Sequence, residues 1–150
     1  NMEKLNFSIK INAPREKVYK MMLEDESYRK WTEPFCPGSY AETDWKKGSK
    51  ALFLGPGKDG NVGGMVSRIA ENIPNEYVSI EHLGVVNNGV EDTTSDAVKG
   101  WAGCMENYTF RDSDGGTEVL VDMDIDGDHA SMFNDMWPKA LNKLKEISEA

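Results

Sequence analysis

The C-terminal part of the chain joins a strand pattern to a helix pattern, and this pairing constrains the fold more than any other feature. Residues 118–126 alternate between apolar and mostly acidic side chains, as in a strand with one dry face. After them, apolar residues recur at helical spacing on one face: Phe133, Met136, Trp137, Ala140, Leu141, Leu144 and Ile147. A curved sheet that closes around such a helix forms a container. This arrangement favours a binding protein over a catalyst.

Length and charge narrow the classes of protein. A chain of 150 residues is most simply one domain, residues 1–150, with room for a hydrophobic core. The formal net charge of -9 repels phosphate backbones and argues against a nucleic-acid partner. No apolar run is long enough for membrane insertion, and no signal-peptide pattern is present. The sequence therefore predicts a cytoplasmic protein, and it leaves the oligomeric state open.

The two cysteines and the acidic segments do not predict a metal or a cofactor. Cys36 and Cys104 are far apart and lack metal-binding spacing, which is typical of free thiols. Residues 122–128 resemble the beginning of a calcium loop, but Phe133 stands where the closing glutamate is needed. The glycine-rich residues 55–60 lack the Lys-Ser/Thr ending of a phosphate loop and are expected to form a hairpin turn. We therefore predict no metal site and no cofactor.

The order of secondary-structure signals predicts an α+β protein. A strand over residues 5–11 leads through Asn12-Ala13-Pro14 into a helix, and a second short helix includes Tyr28 and Trp31. Turn signals then separate antiparallel strands, which we predict at residues 49–54, 64–73, 77–86, 101–111 and 117–126. The polar residues 87–99 are predicted to form a mobile loop. Pro138 is predicted to kink the last helix near residues 134–137, or to separate a short turn from it.

A family resemblance covers nearly the whole chain. It rests on these segments: Ile11-Asn12-Ala13-Pro14, Tyr28 with Trp31, Trp45-Lys46-Lys47-Gly48-Ser49, Gly64-Met65-Val66, Ile73-Pro74, Gly116-Thr117-Glu118-Val119, and Trp137 to Leu144. Their order and spacing resemble the helix-grip fold of the START and birch-pollen-allergen (SRPBCC) superfamily. Within it, the chain is similar to the bacterial branch named after the activator of the ninety-kilodalton heat-shock protein ATPase.

The resemblance carries expectations about structure and function. It implies a curved antiparallel sheet wrapped around a long C-terminal helix, with a deep apolar cavity between them. Members bind lipids, hormones or polyketide-like molecules, and a few catalyse reactions on them. The co-chaperone activity belongs to longer eukaryotic relatives that have an additional N-terminal domain.

Strand parity predicts a polar group on the inner wall of the sheet. His82 shares its face with Val78 and Ile80, and antiparallel counting across residues 87–99 places it near Cys104 and Glu106. Glu106 in turn shares its face with Tyr108. These side chains could orient the polar group of a ligand, or they could form an internally satisfied network.

The leading hypothesis is a protein that binds a hydrophobic or amphipathic small molecule. Polar contacts would come from His82, Glu106 and Tyr108, and apolar contacts from Trp31, Phe53, Met123, Phe133 and Trp137. One alternative is a polyketide cyclase or hydrolase that uses His82 and Glu106 as an acid–base pair. No serine lies in a nucleophile elbow, so no catalytic residue is assigned. The other alternative is a chaperone-linked module with a protein partner.

Overall fold

The protein consists of one eight-stranded antiparallel sheet and four helices. The computed structural model describes residues Asn1–Ala150. The elements follow one another as β1 (Met2–Ile11), α1 (Arg15–Leu23), α2 (Asp25–Trp31), β2 (Tyr40–Glu42), β3 (Lys50–Pro56), β4 (Val62–Ile73), β5 (Tyr77–Asn87), β6 (Val90–Asp92), α3 (Asp96–Lys99), β7 (Cys104–Ser113), β8 (Gly116–Asp126) and α4 (Gly127–Glu149). This order confirms the predicted α+β class.

The sheet is ordered β1-β8-β7-β5-β4-β3-β2, and β6 pairs with the end of β5. Helix α4 packs against β1, α1 and α2, so one face of the sheet is covered by helices. The predicted helix-grip architecture, a curved sheet around a long C-terminal helix with two short helices after the first strand, is therefore confirmed.

The alternation in β8 positions its apolar side chains in the core. Val119, Val121 and Met123 are buried and belong to the same apolar cluster as Leu141 and Leu144 of α4. The residues between them on β8 are half-buried on the opposite side, as a period of two requires. The register predicted from the sequence is thus confirmed.

The aspartates at the end of β8 each have a different partner. Asp122 accepts a hydrogen bond from the Asn107 amide at 2.9 Å, and Asp124 pairs with the Lys4 ammonium at 2.7 Å. Asp126 precedes α4 and accepts the Asp128 N–H at 3.0 Å, which caps the helix. No group of three or more histidine, cysteine, aspartate or glutamate side chains is arranged to hold a metal ion.

Residues 87–99, which the sequence predicts as a mobile loop, contain regular secondary structure. Asn87 pairs with Val90, so Asn88 and Gly89 form a two-residue hairpin turn, and both have positive φ (51° and 78°). This is the geometry of a type I′ turn, which Asn-Gly sequences favour. The chain then forms β6 and the single turn of α3, whose Val98 is buried. The predicted mobile loop is therefore wrong in its secondary structure.

Two other boundaries differ from the sequence prediction. Helix α4 begins at Gly127, directly after β8, and includes Pro138 without an interruption. A separate turn before the helix is therefore absent, although the missing N–H of Pro138 leaves the Asn134 carbonyl without its usual helical partner. Strand β7 begins at Cys104, so Trp101 lies in the turn before it.

Gly84 allows the chain at the end of β6 to lie directly against β5. A Cβ atom at Gly84 would lie 2.0 Å from the Asp92 carbonyl oxygen and 2.9 Å from its carbon. Gly84→Ala is therefore expected to displace this segment and to lower the free energy of unfolding by about 1–3 kcal/mol, the usual cost of overpacking. Gly100→Ala is the matched control, since a Cβ there meets nothing within 4 Å and φ is -73°. Thermal denaturation of the two variants checks this, and equal stabilities would contradict it.

Candidate functional site

A cavity of about 680 Å³ lies between the inner face of the sheet and helices α2 and α4. The structure brings all eight candidate residues to its wall: Trp31, Phe53, His82, Glu106, Tyr108, Met123, Phe133 and Trp137. They come from six different elements, so only the complete fold assembles them.

The cavity reaches the surface at one end of the sheet. At this end β1 begins while β3 and β8 finish, because neighbouring strands are antiparallel. The exposed residues that line the cavity all lie here, and we call them the mouth: Met2, Pro56, Gly57, His129 and Met132. Exposed apolar side chains at this position, with Met2 45% and Met132 47% exposed, make the entrance itself partly hydrophobic.

Aromatic rings form much of the wall, with Trp137 at their centre. The Trp137 ring lies 4.8 Å from Phe35, 5.9 Å from Trp31 and 6.0 Å from Tyr108, measured between ring centroids. These distances and the edge or tilted arrangements fall within the range of favourable aromatic pairs. The rings therefore support one another around the cavity.

The polar part of the wall is a continuous chain of hydrogen bonds. The Ser67 hydroxyl lies 2.7 Å from His82 Nδ1, and His82 Nε2 lies 2.9 Å from Glu106 Oε1. The Tyr108 hydroxyl donates to the other carboxylate oxygen, Oε2 of Glu106. In β5, Leu83 has no partner in β4, because Val66 pairs with Gly84 and Ser67 with His82. This bulge sets the direction of His82 beside it.

The hydrogen-bond chain defines where its protons lie. Burial raises the pKa of Glu106, but hydrogen bonds from His82 and Tyr108 and the His82 charge outweigh it, so the pKa lies below its ordinary value. An ionised carboxylate only accepts hydrogen bonds, so both neighbours must donate to it. In both the neutral and the charged form, His82 then carries a proton on Nε2, and in the neutral form Nδ1 is left to accept from the Ser67 hydroxyl. Burial and the Glu106 charge raise the pKa of Tyr108 well above its ordinary value, which keeps its hydroxyl a donor.

Neither the serine nor the cysteine beside this hydrogen-bond chain is poised as a nucleophile. Ser67 is fully buried, and it is not among the residues that line the cavity. Cys104 does line the cavity, but burial and the nearby Asp124 charge raise the pKa of its thiol. A raised thiol pKa lowers the fraction of reactive thiolate. The hydrogen-bond chain can therefore orient and hydrogen-bond a bound molecule, but it activates neither Ser67 nor Cys104 as an attacking group.

Sequence reasoning missed several residues of the wall. Tyr28, Phe35, Ile80, Trp101 and the free Cys36 line the cavity. Ile80 shares the face of His82 and could have been included by parity. Phe35 lies in the irregular chain after α2, where no periodic pattern indicates a direction.

A curved antiparallel sheet that holds a C-terminal helix and encloses a cavity defines the helix-grip class of proteins. The sequence profile described as "Activator of Hsp90 ATPase homolog 1-like protein" matches residues 12–149, and the chain belongs to this family. No curated protein sequence matches the chain. None of its helices combines the length and the apolar character that a membrane span needs.

Solved structures support the fold assignment. The Aha1 dimer from Colwellia psychrerythraea is 20% identical, with a TM-score of 0.71, and the match covers 98% of this chain and 96% of that one. Protein CV1439 from Chromobacterium violaceum is also 20% identical, with a TM-score of 0.70 and coverage of 98% and 97%. An AHSA1-like protein from Aeromonas hydrophila is 16% identical, with a TM-score of 0.71 and coverage of 98% and 92%. At these identities the likeness concerns the fold alone.

Proposed function

We propose that this protein binds a hydrophobic or amphipathic small molecule in the cavity between the sheet and α4. The observation that carries the proposal is the cavity itself, about 680 Å³ of space among aromatic and aliphatic side chains. Pockets for small molecules are typically of this size and character, with a few polar groups that fix orientation. The polar groups here are His82, Glu106 and Tyr108.

The cavity is larger than the voids that ordinary side-chain packing leaves. Protein interiors are close-packed, and their voids rarely exceed the size of a water molecule. A space of this size in a 150-residue chain is therefore better explained by an occupant than by imperfect packing.

Binding is better supported than hydrolysis or cyclisation. An acid–base mechanism with His82 would need the imidazole to exchange protons with a substrate, but both ring nitrogens already have protein partners. The one serine in contact with His82 does not reach the cavity. A network whose members satisfy one another is suited to holding a polar group in a fixed direction.

Charge placed on the apolar wall should abolish ligand binding. Phe133→Asp brings a carboxylate to the cavity, so the affinity for an environment-sensitive apolar dye should fall at least about tenfold. The wild-type protein should bind the dye saturably and about one to one, with quenching of tryptophan emission. Fluorescence titration measures both.

The control is Ile147→Asp, which makes a similar change on the same helix. Ile147 is also half-buried and packs against the core, but it does not line the cavity. Its dye affinity should stay within about twofold of the wild-type value in any variant that is still folded by circular dichroism. Equal losses in the two variants, or no saturable binding by the wild-type protein, would contradict a binding function for the cavity.

A further inference from the structure

The side chain of Glu106 can be reached from inside the cavity. Glu106 pairs with Ile80 on β5 and with Met123 on β8, and both of these neighbours are buried. Its own side chain lines the cavity, and 17% of it is exposed. Because the two flanking strands cover Glu106 on either side, the exposed part faces the cavity. A bound molecule can therefore contact it.

The carboxylate of Glu106 has unused capacity to accept hydrogen bonds. An ionised carboxylate has about four lone-pair directions. His82 Nε2 donates to one of its oxygens and the Tyr108 hydroxyl donates to the other. No other donor of the protein contacts this carboxylate, so about two lone-pair directions have no partner in the protein.

The hydrogens of the same network are already used within the protein, whichever charge His82 carries. When His82 is neutral, Ser67 donates to Nδ1, and His82 Nε2 and Tyr108 donate to Glu106. When His82 is charged, Nδ1–H donates to the Ser67 oxygen instead, and the released hydroxyl hydrogen lies on a fully buried residue that does not line the cavity. The network therefore presents acceptors to the cavity but no free donor.

We infer that the molecule bound in this cavity carries a hydrogen-bond donor, a hydroxyl or an amine, on an apolar ring system, and that this donor pairs with Glu106. The inference rests on the proposed function, because it requires an occupant. Hydrogen bonds to an ionised acceptor are shorter and stronger than those between neutral groups. The aromatic wall around Trp31 and Phe53 provides the contact area for the ring system.

Head groups that can only accept hydrogen bonds fit less well. An ether or ketone oxygen beside Glu106 would bring its lone pairs against those of the carboxylate, and it would displace water without replacing the hydrogen bonds of that water. Sites that hydrogen-bond a ligand hydroxyl reject the analogue without it, because a polar group of the site is then left unpaired. Glu106 is thus the residue that selects the head group.

Naphthylmethanol and its methyl ether test this selection, because they share a ring system and an oxygen and differ in the O–H donor. Each is titrated into the wild-type protein by calorimetry at neutral pH, and the alcohol should bind about tenfold more tightly. Naphthylmethylammonium, which offers N–H donors on the same ring system, is the third probe. Its affinity relative to that of the alcohol shows whether the preferred donor is an amine or a hydroxyl.

The outcomes separate this inference from the binding function. An ether that binds as tightly as the alcohol would overturn the inference while leaving the binding function intact. Binding of the apolar dye without binding of the alcohol would have the same meaning. Failure of all three probes and of the dye would instead reject the binding function.

Glu106→Gln tests the assigned partner. The amide replaces one acceptor oxygen by an NH₂ group, so the network gains donors, and the preference for the alcohol over the ether should fall to about twofold or less. His129→Gln is the control, since His129 also lines the cavity but is exposed at the mouth, and the preference should stay about tenfold. A preference lost in His129→Gln and kept in Glu106→Gln would overturn the assignment. The wild-type comparison remains decisive if Glu106→Gln does not fold.

Discussion

Leu144→Ala is expected to lower the free energy of unfolding by about 2–5 kcal/mol, as large-to-small changes in packed cores do. Leu144 is completely buried on α4 and belongs to the main apolar cluster, which also contains Leu141 and Val119. Removing its isobutyl group loses the transfer free energy of the atoms and leaves a cavity that the surrounding side chains fill only in part. Urea denaturation followed by tryptophan fluorescence measures the change.

The matched control on the same helix is Met132→Ala. Met132 is 47% exposed at the mouth, so its truncation should change the free energy of unfolding by no more than about 0.5 kcal/mol. A Leu144→Ala effect of that small size would mean that α4 is not docked on the sheet through this face. That result would also mean that α4 does not enclose the cavity against the sheet.

The strongest periodic patterns predicted the architecture well. The alternation in residues 117–126 and the apolar face from Phe133 to Ile147 each repeat over several turns or pleats, so their period is unambiguous. Parity and antiparallel counting were also sufficient to bring His82 and Glu106 together, because the β5–β7 pairing has no bulge between them. Local sequence therefore carries information about a long-range contact wherever the register is regular.

The remaining features depend on irregularities that periodicity does not encode. The contact between Ser67 and His82 follows from a bulge at Leu83, which shifts the pairing of β4 with β5. The chain at the end of β6 lies against Gly84 of β5 because this residue has no side chain, and nothing near it in the sequence marks this approach. Only the family resemblance implied a cavity, because aromatic and aliphatic residues that line a cavity are the same types that fill a core.

Glu106→Leu is expected to destabilise the protein by on the order of 1–3 kcal/mol for each donor left without an acceptor. The Tyr108 hydroxyl and His82 Nε2 both donate to this carboxylate, and both side chains are largely buried. Leucine offers neither of them an acceptor. Chemical denaturation at neutral pH measures the loss.

The stabilisation that Glu106 provides should also depend on pH, with a defined sign. Its pKa in the folded protein is below the ordinary value of 4.5, so the folded state favours the ionised form relative to the unfolded chain. This contribution is fully present above the unfolded pKa and is lost as pH falls through the folded pKa. The stability difference between wild type and Glu106→Gln should therefore be constant near neutral pH and should shrink progressively as the pH is lowered below 4.5.

Glu106→Gln separates the charge from the hydrogen bonds in this experiment. The amide oxygen of glutamine can still accept from Tyr108 or His82, so the neutral-pH loss should be smaller than in Glu106→Leu. If the wild-type and Glu106→Gln stabilities fall in parallel between pH 7 and pH 3, the carboxylate does not titrate with a lowered pKa. In that case the pKa of Glu106 would be the same in the folded and the unfolded chain, and the hydrogen bonds from His82 and Tyr108 would not favour its ionised form.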